Sequence, residues 1–214
     1  MHISDDLLRW VVWNTFLALI PVAAGWGIYA LYKRPRRRTA PIRAITALLA
    51  VVWFAFVPNS CYLLTEWRHF LEIIGYTGLY ADFYVSKTAA VRLMMYTLFY
   101  IFYSGIGLLT FALAIRPIVW LMREKRLTPW LWAIPFFLLM SLGVYLGLIL
   151  RLNSWDIFTR PAFVWASIVT ALSRPSLVAL IVAFASFLWF AYIVMDIWVD
   201  GLVCKWRDAH LSGD

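Results

Sequence analysis

Hydrophobic residues run in long unbroken stretches along this chain, and polar residues collect between them. Five stretches carry no charged side chain, at residues 10–32, 44–64, 93–115, 128–150 and 175–195. Each matches or exceeds the roughly 20 residues that cross a hydrocarbon core of about 30 Å at 1.5 Å per residue. The stretches are continuously apolar and do not alternate, which predicts helices and not the strands of a barrel. No polar tract is long enough to fold separately. The pattern predicts an all-α fold, an integral membrane bundle of five transmembrane helices forming one domain over residues 1–214.

Two shorter pieces predict helices that do not cross. Residues 161–173 are apolar but too short to span, which suggests an interfacial or re-entrant helix. Trp67, Phe70, Leu71 and Ile74 give the segment after the second span an apolar side, as in a helix lying along the membrane surface. Pro58 should interrupt the second helix, with Asn59 and Ser60 placed to satisfy the carbonyls it leaves free.

Composition agrees with a lipid solvent. The chain is 64% hydrophobic and 14% charged, against about half and a quarter in soluble domains. Its 13 Trp and 11 Tyr suit the headgroup level, where amphipathic rings settle. The first residues lack a basic n-region and the apolar run that follows is too long for an h-region, so no cleavable signal peptide is expected.

The net charge of +8 would suggest nucleic acid in a soluble protein. Here the basic residues flank apolar runs and no basic patch interleaves with aromatics, so no nucleic-acid partner is expected. Their distribution predicts a direction instead. Lys33, Arg34, Arg36, Arg37, Arg38, Arg43, Arg116, Arg123, Lys125, Arg126, Lys205 and Arg207 fall on one side. Arg9, Arg68, Lys87, Arg92, Arg151, Arg160 and Arg174 fall on the other. The positive-inside rule puts the first group in the cytoplasm, hence the N-terminus outside and the C-terminus inside a cell inner (plasma) membrane. Cys61 and Cys204 then lie on opposite sides, too far apart to pair. Cys61 should react with impermeant thiol reagents from outside and Cys204 only from within.

This orientation gathers the polar chemistry on the outer face. Glu66 and His69 are three apart and share a helix face. They can serve as an oriented acid–base pair or as two ligands of a divalent metal. Arg68 and Glu72 are four apart and should pair. Arg151, Asn153, Ser154, Trp155 and Asp156 follow the fourth span, about ninety residues later, on the same predicted side. Charges near lipid are costly unless paired or hydrated, which favours one shared cluster. Glu66, His69 and Asp156 are the candidate catalytic groups. Glu66, His69, Asp82 and Asp156 are the candidate ligands of a divalent metal cofactor. Asn59, Arg151, Asn153 and Trp155 are the candidate substrate contacts. At the other face, Asp196 and Asp200 should pair with a basic residue. Gly143 and Gly147 form GxxxG, read as close helix packing.

The residues Pro58-Asn59, Tyr62, Thr65-Glu66 and His69, then Gly143-Val144-Tyr145-Leu146-Gly147, Arg151 and Asn153-Ser154-Trp155-Asp156, also carry a resemblance. The chain resembles a family of bacterial multi-pass membrane proteins filed as a domain of unknown function, patterned PN-x-x-Y-x-x-T-D-x-x-H and G-x-Y-L-G-R-x-x-R-x-N-S-W-D. Glu66 stands where that family typically has Asp, and Leu148 where an Arg is usual. The resemblance implies that both segments act as one unit, and it implies no substrate.

Two functions fit equally: a metal-assisted hydrolase or transferase working on a lipid-linked or anionic substrate at the outer leaflet, and a non-catalytic accessory or assembly subunit. The expected partners are membrane lipid and, for the second reading, another membrane protein. A small transporter is disfavoured, because the span centres carry no charge and five helices cannot form two equal inverted halves.

Overall fold

The computed structural model describes residues 3–34, 39–152 and 156–211. Among them the chain is all-α, with helices α1 (Ile3–Lys33), α2 (Ala40–Thr65), α3 (Trp67–Thr77), α4 (Leu79–Asp82), α5 (Lys87–Glu124), α6 (Pro129–Leu148), α7 (Asp156–Thr159), α8 (Pro161–Leu172) and α9 (Pro175–Leu211). Five helical stretches are long and apolar enough to cross a membrane: α1, α2 running on into α3, α5, α6 and α9.

Proline starts the helices. Pro129, Pro161 and Pro175 occupy the first position of α6, α8 and α9, and Pro41 the second of α2. The N–H that proline lacks has no intrahelical partner there, and its fixed φ suits the first turn. Ser86 opens α5 by accepting a hydrogen bond from the Ala89 N–H at 3.4 Å.

The helices α2 and α5 are central. α1 packs on both, α6 lies against α2, and α9 bridges α5 and α6. The main core is built from Val57 and Cys61 of α2, Phe111, Ala114 and Ile115 of α5, Phe137, Met140 and Val144 of α6, and Ala185 and Leu188 of α9. A smaller cluster of Ala18, Leu63 and Tyr103 ties α1 to α2 and α5. Many other large apolar side chains, among them Leu48, Met95, Phe102, Trp132 and Phe190, face outward, as lipid contact requires.

Hydrogen bonds from side chains to partners on neighbouring helices hold the bundle together. Trp53 Nε1 donates to the Ala114 carbonyl at 2.8 Å, Ser60 Oγ to Ala18 at 3.2 Å, and Ser141 Oγ to Ile181 at 2.8 Å. In bilayers such bonds contribute on average about 0.6 kcal/mol each. Close approach supplies the rest. A Cβ on Gly107 would stand 2.7 Å from the Leu63 Cβ, so α5 meets α2 there with no room for a side chain.

Several sequence expectations need correction. α2 continues through Pro58 to Thr65, and the break falls at Glu66. Ser60 does not cap its own helix but bonds α1. Proline is tolerated within a membrane helix when neighbouring elements accommodate it, and here the Pro58 ring lies beside Gly143 of α6. Cys61 is fully buried in the main core, so it cannot meet a water-soluble thiol reagent from either side. Both cysteines are free. Helices α5 and α9 also outrun their uncharged stretches, because a helix need not stop where the hydrocarbon does. Arg116, the first charge past the third uncharged stretch, is buried inside α5.

Candidate functional site

The Tyr62 hydroxyl near the C-terminal end of α2 points at the Gly143 carbonyl of α6, 3.5 Å away. Tyr62 and Gly147 are in contact, and a Cβ on Gly147 would fall 2.6 Å from the Tyr62 Cζ. This seam sets the C-terminal ends of α2 and α6 side by side. The segment from Tyr62 to His69 and the segment from Gly143 to Arg151 therefore lie at one end of the bundle.

Glu66 is the hinge of that end. It closes α2 and opens α3 with helical dihedrals, φ −69° and ψ −5°, and its carbonyl accepts the His69 N–H at 2.9 Å. Its side chain turns inward, leaving the residue 8% exposed. There a carboxylate oxygen pairs with His69 Nδ1. The imidazole remains 39% exposed and packs edge-on against Trp10 of α1, ring centroids 5.2 Å apart.

Two tyrosines of α5 close the site from inside. Trp10 also touches Tyr103 at 5.5 Å, and Tyr100 packs against Phe70 and Trp67 of α3. Trp67 is pinned by its Nε1–H donating to Ser104 Oγ at 2.9 Å. Tyr100 and Tyr103 are 1% and 2% exposed, and the Tyr100 hydroxyl finds no hydrogen-bond partner among the described residues. Sequence reasoning missed Trp10, Tyr100 and Tyr103. The spacing of the two tyrosines along α5 was visible, but nothing in the sequence sets α5 beside Glu66.

The other site candidates have surroundings of their own. Asp156 opens α7, is buried, and accepts from Arg160 Nη2 at 2.9 Å, from Arg160 Nε at 3.2 Å and from Thr159 Oγ1 at 3.3 Å. Among the described residues its cation is Arg160, four residues on. That partner was legible from the spacing alone. Arg151 is exposed, sits in the left-handed region at φ 54°, and forms no ion pair among the described residues. Asn59 is half-buried on α2. Asp82 is exposed at the end of α4, its carbonyl accepting the N–H groups of Val85 and Ser86. Asn153, Ser154 and Trp155 lie outside the described residues. Arg68 pairs with Glu72 at 3.6 Å, as the spacing predicts.

A zinc-type centre needs at least three protein ligands. Among the described residues no three His, Cys, Asp or Glu side chains come together to hold an ion. The expected metal set of Glu66, His69, Asp82 and Asp156 is therefore not gathered, and only the Glu66–His69 pair forms. What the pair can do is proton transfer. A carboxylate on Nδ1 fixes the tautomer and orientation of the ring and leaves Nε2 to take or give a proton.

A separate ionic cluster lies at the opposite end. Arg116, buried in α5, reaches Asp196 at 3.4 Å and Asp200, both on α9, with its guanidinium over the Trp120 ring. The expected basic partner of the two aspartates is thus Arg116. Between the two polar ends stands the apolar core around Phe111, Phe137 and Leu188.

No curated protein and no solved structure matches this chain. One family profile does, that of protein of unknown function (DUF1361), over residues 13–191, a stretch that holds both polar segments. With most of its length covered, the chain belongs to the DUF1361 family.

Proposed function

We propose that this multi-pass membrane protein is an enzyme, a hydrolase or transferase in which His69 is the general acid–base and Glu66 its positioning partner. The substrate class is lipid-linked or anionic, and the site faces the outer leaflet of the plasma membrane. The observation that carries the reading is the pair itself: a buried carboxylate holding a half-exposed imidazole by one nitrogen. Burying a carboxylate costs free energy unless it is paired, so a purely structural position would be filled more cheaply by an apolar residue. Arg151, exposed and without an ion pair among the described residues at the same end, offers a contact for an anionic headgroup. The outward orientation is supported by the excess of basic residues at the opposite end. Proton transfer is favoured over metal assistance because Glu66, His69, Asp82 and Asp156 form no three-ligand group among the described residues.

The test is turnover by protein in nanodiscs, offered a panel of phospholipids and lipid-linked phosphates, with products read by mass spectrometry. His69→Ala should remove turnover, by roughly a hundredfold or more for loss of a general base. Glu66→Gln should lower it while thermal unfolding stays cooperative. Turnover that survives His69→Ala, or a panel from which nothing is converted, sinks the reading.

A non-catalytic accessory subunit is the second reading. It is favoured by the way charges at this end satisfy one another, Asp156 with Arg160 and Arg68 with Glu72. It predicts a stoichiometric membrane-protein partner retained in mild detergent and released by charge reversal at Arg151.

A further inference from the structure

At the end of the bundle opposite Glu66, a cleft of about 600 Å³ opens between α1, α2 and α5. That volume is within the roughly 300–1,000 Å³ of ordinary ligand sites. Its walls are apolar, with Ile28 from α1, Ala47 and Ala50 from α2, and Leu121 from α5. Two cations line it as well, Arg43 from the first turn of α2 and Lys125 from the C-terminal cap of α5. Neither forms an ion pair among the described residues. The nearest carboxylate along α5, Glu124, is taken by Lys33 at 2.5 Å. Lys125 is held in place over the Tyr32 ring, 5.3 Å from its centroid.

Arg43 is the telling residue. A cation in the first turn opposes the positive end of the helix dipole, so it does not serve α2. With Lys125 it places two unneutralised charges, from two helices, on one apolar trough. The neighbouring cleft between α2, α5, α6 and α9 is larger, about 720 Å³, but has Arg123 as its one cation among the described residues. A soluble anion has no use for the apolar walls, and a neutral lipid none for the cations. Basic pockets between membrane helices suit anionic headgroups.

We infer that an anionic phospholipid occupies the cleft between α1, α2 and α5, its phosphate between Arg43 and Lys125 and an acyl chain against Ile28, Ala47, Ala50 and Leu121. The small side chains of Ala47 and Ala50 leave the trough open along its length.

The test equilibrates purified protein with equal phosphatidylglycerol and phosphatidylcholine, exchanges the detergent, and reads the retained lipid by native mass spectrometry. Phosphatidylglycerol should be retained selectively. Arg43→Gln with Lys125→Gln should weaken retention by roughly 25-fold, about fivefold per cation. Lys87→Gln with Arg174→Gln, which removes the same two charges at the other end of the bundle, should leave it unaltered. Ala50→Phe, which blocks the trough with both cations intact, should also lower retention and decides the matter if the double variant fails to fold. Equal retention of phosphatidylcholine, an unaffected double variant, or displacement by soluble glycerophosphate as effective as by lipid would each overturn the proposal.

Discussion

The Tyr62 ring occupies the space where Gly147 has no side chain, and this contact joins α2 to α6 at the end that carries Glu66. The seam accounts for two small pieces of sequence at once, the tyrosine three residues after Asn59 and the second glycine of GxxxG. Gly147→Ala should therefore push the tyrosine out or the helices apart, destabilising the protein by about 1–3 kcal/mol, the usual range for overpacking. Tyr62→Phe removes the hydroxyl that sits deepest. In a double-mutant cycle read by denaturant titration in detergent, Tyr62→Phe should recover part of the Gly147→Ala loss. Strict additivity would show that the two residues do not press on each other.

Arg116 makes a different kind of link. It is buried in α5 and neutralises Asp196 and Asp200 of α9. Removing one partner of a buried ionic group leaves the other charged and unpaired, at a cost of about 3–5 kcal/mol when burial is complete. The Asp200 side chain is 63% exposed, so water compensates part of the loss. Arg116→Met should thus destabilise by about 3 kcal/mol. Asp200→Asn should cost less than about 1 kcal/mol, because Asp196 still faces the guanidinium and exposed pairs contribute little. Thermal unfolding of both variants in one detergent checks the order. Equal losses would mean that Asp200 carries the link.

How much of this was legible in the sequence follows from the range of each interaction. Uncharged stretches reveal the five crossings, because hydrocarbon rejects charge wherever it lies. Spacings of three or four along one helix reveal Arg68 with Glu72 and Glu66 near His69, since a helix sets such neighbours by itself. Helix ends were not legible. α5 and α9 continue past their apolar parts, where lipid no longer dictates residue type. Contacts between helices were hidden as well, because they depend on rotation about each axis. Tyr100 packs on Phe70 and Tyr103 on Trp10, Cys61 faces the core, and Pro58 passes through an unbroken helix, and no local pattern says so.

Arg126 closes the C-terminus of α5 in a left-handed conformation, φ 56°. The Leu127 N–H returns to the Met122 carbonyl at 2.9 Å and the Arg126 N–H to Arg123 at 3.0 Å. This is the paired bonding of a Schellman end, a place that glycine fills most easily. An L side chain with a Cβ costs roughly 1–2 kcal/mol in that region. Arg126→Gly should accordingly stabilise the protein by about 1 kcal/mol, seen as a higher unfolding temperature. A lower one would show that the Arg126 side chain contributes more than its backbone costs.

Orientation in the membrane can be tested with thiols only after the burial of Cys61 is taken into account. Among the described residues the native chain offers one exposed thiol, Cys204 near the end of α9. Tyr76, on α3 beyond Glu66, is 90% exposed and can supply the second site as Tyr76→Cys. If the dense basic residues after α1 lie in the cytoplasm, an impermeant maleimide added to intact cells should label the Tyr76→Cys variant in a Cys204→Ser background. The same reagent should leave native Cys204 untouched. Permeabilised cells should label both thiols, and Cys61 should stay silent until the protein is unfolded. The opposite pattern, with Cys204 labelled from outside, would turn the bundle over. It would carry the Glu66–His69 pair to the cytoplasmic face, and with it any substrate the pair acts upon.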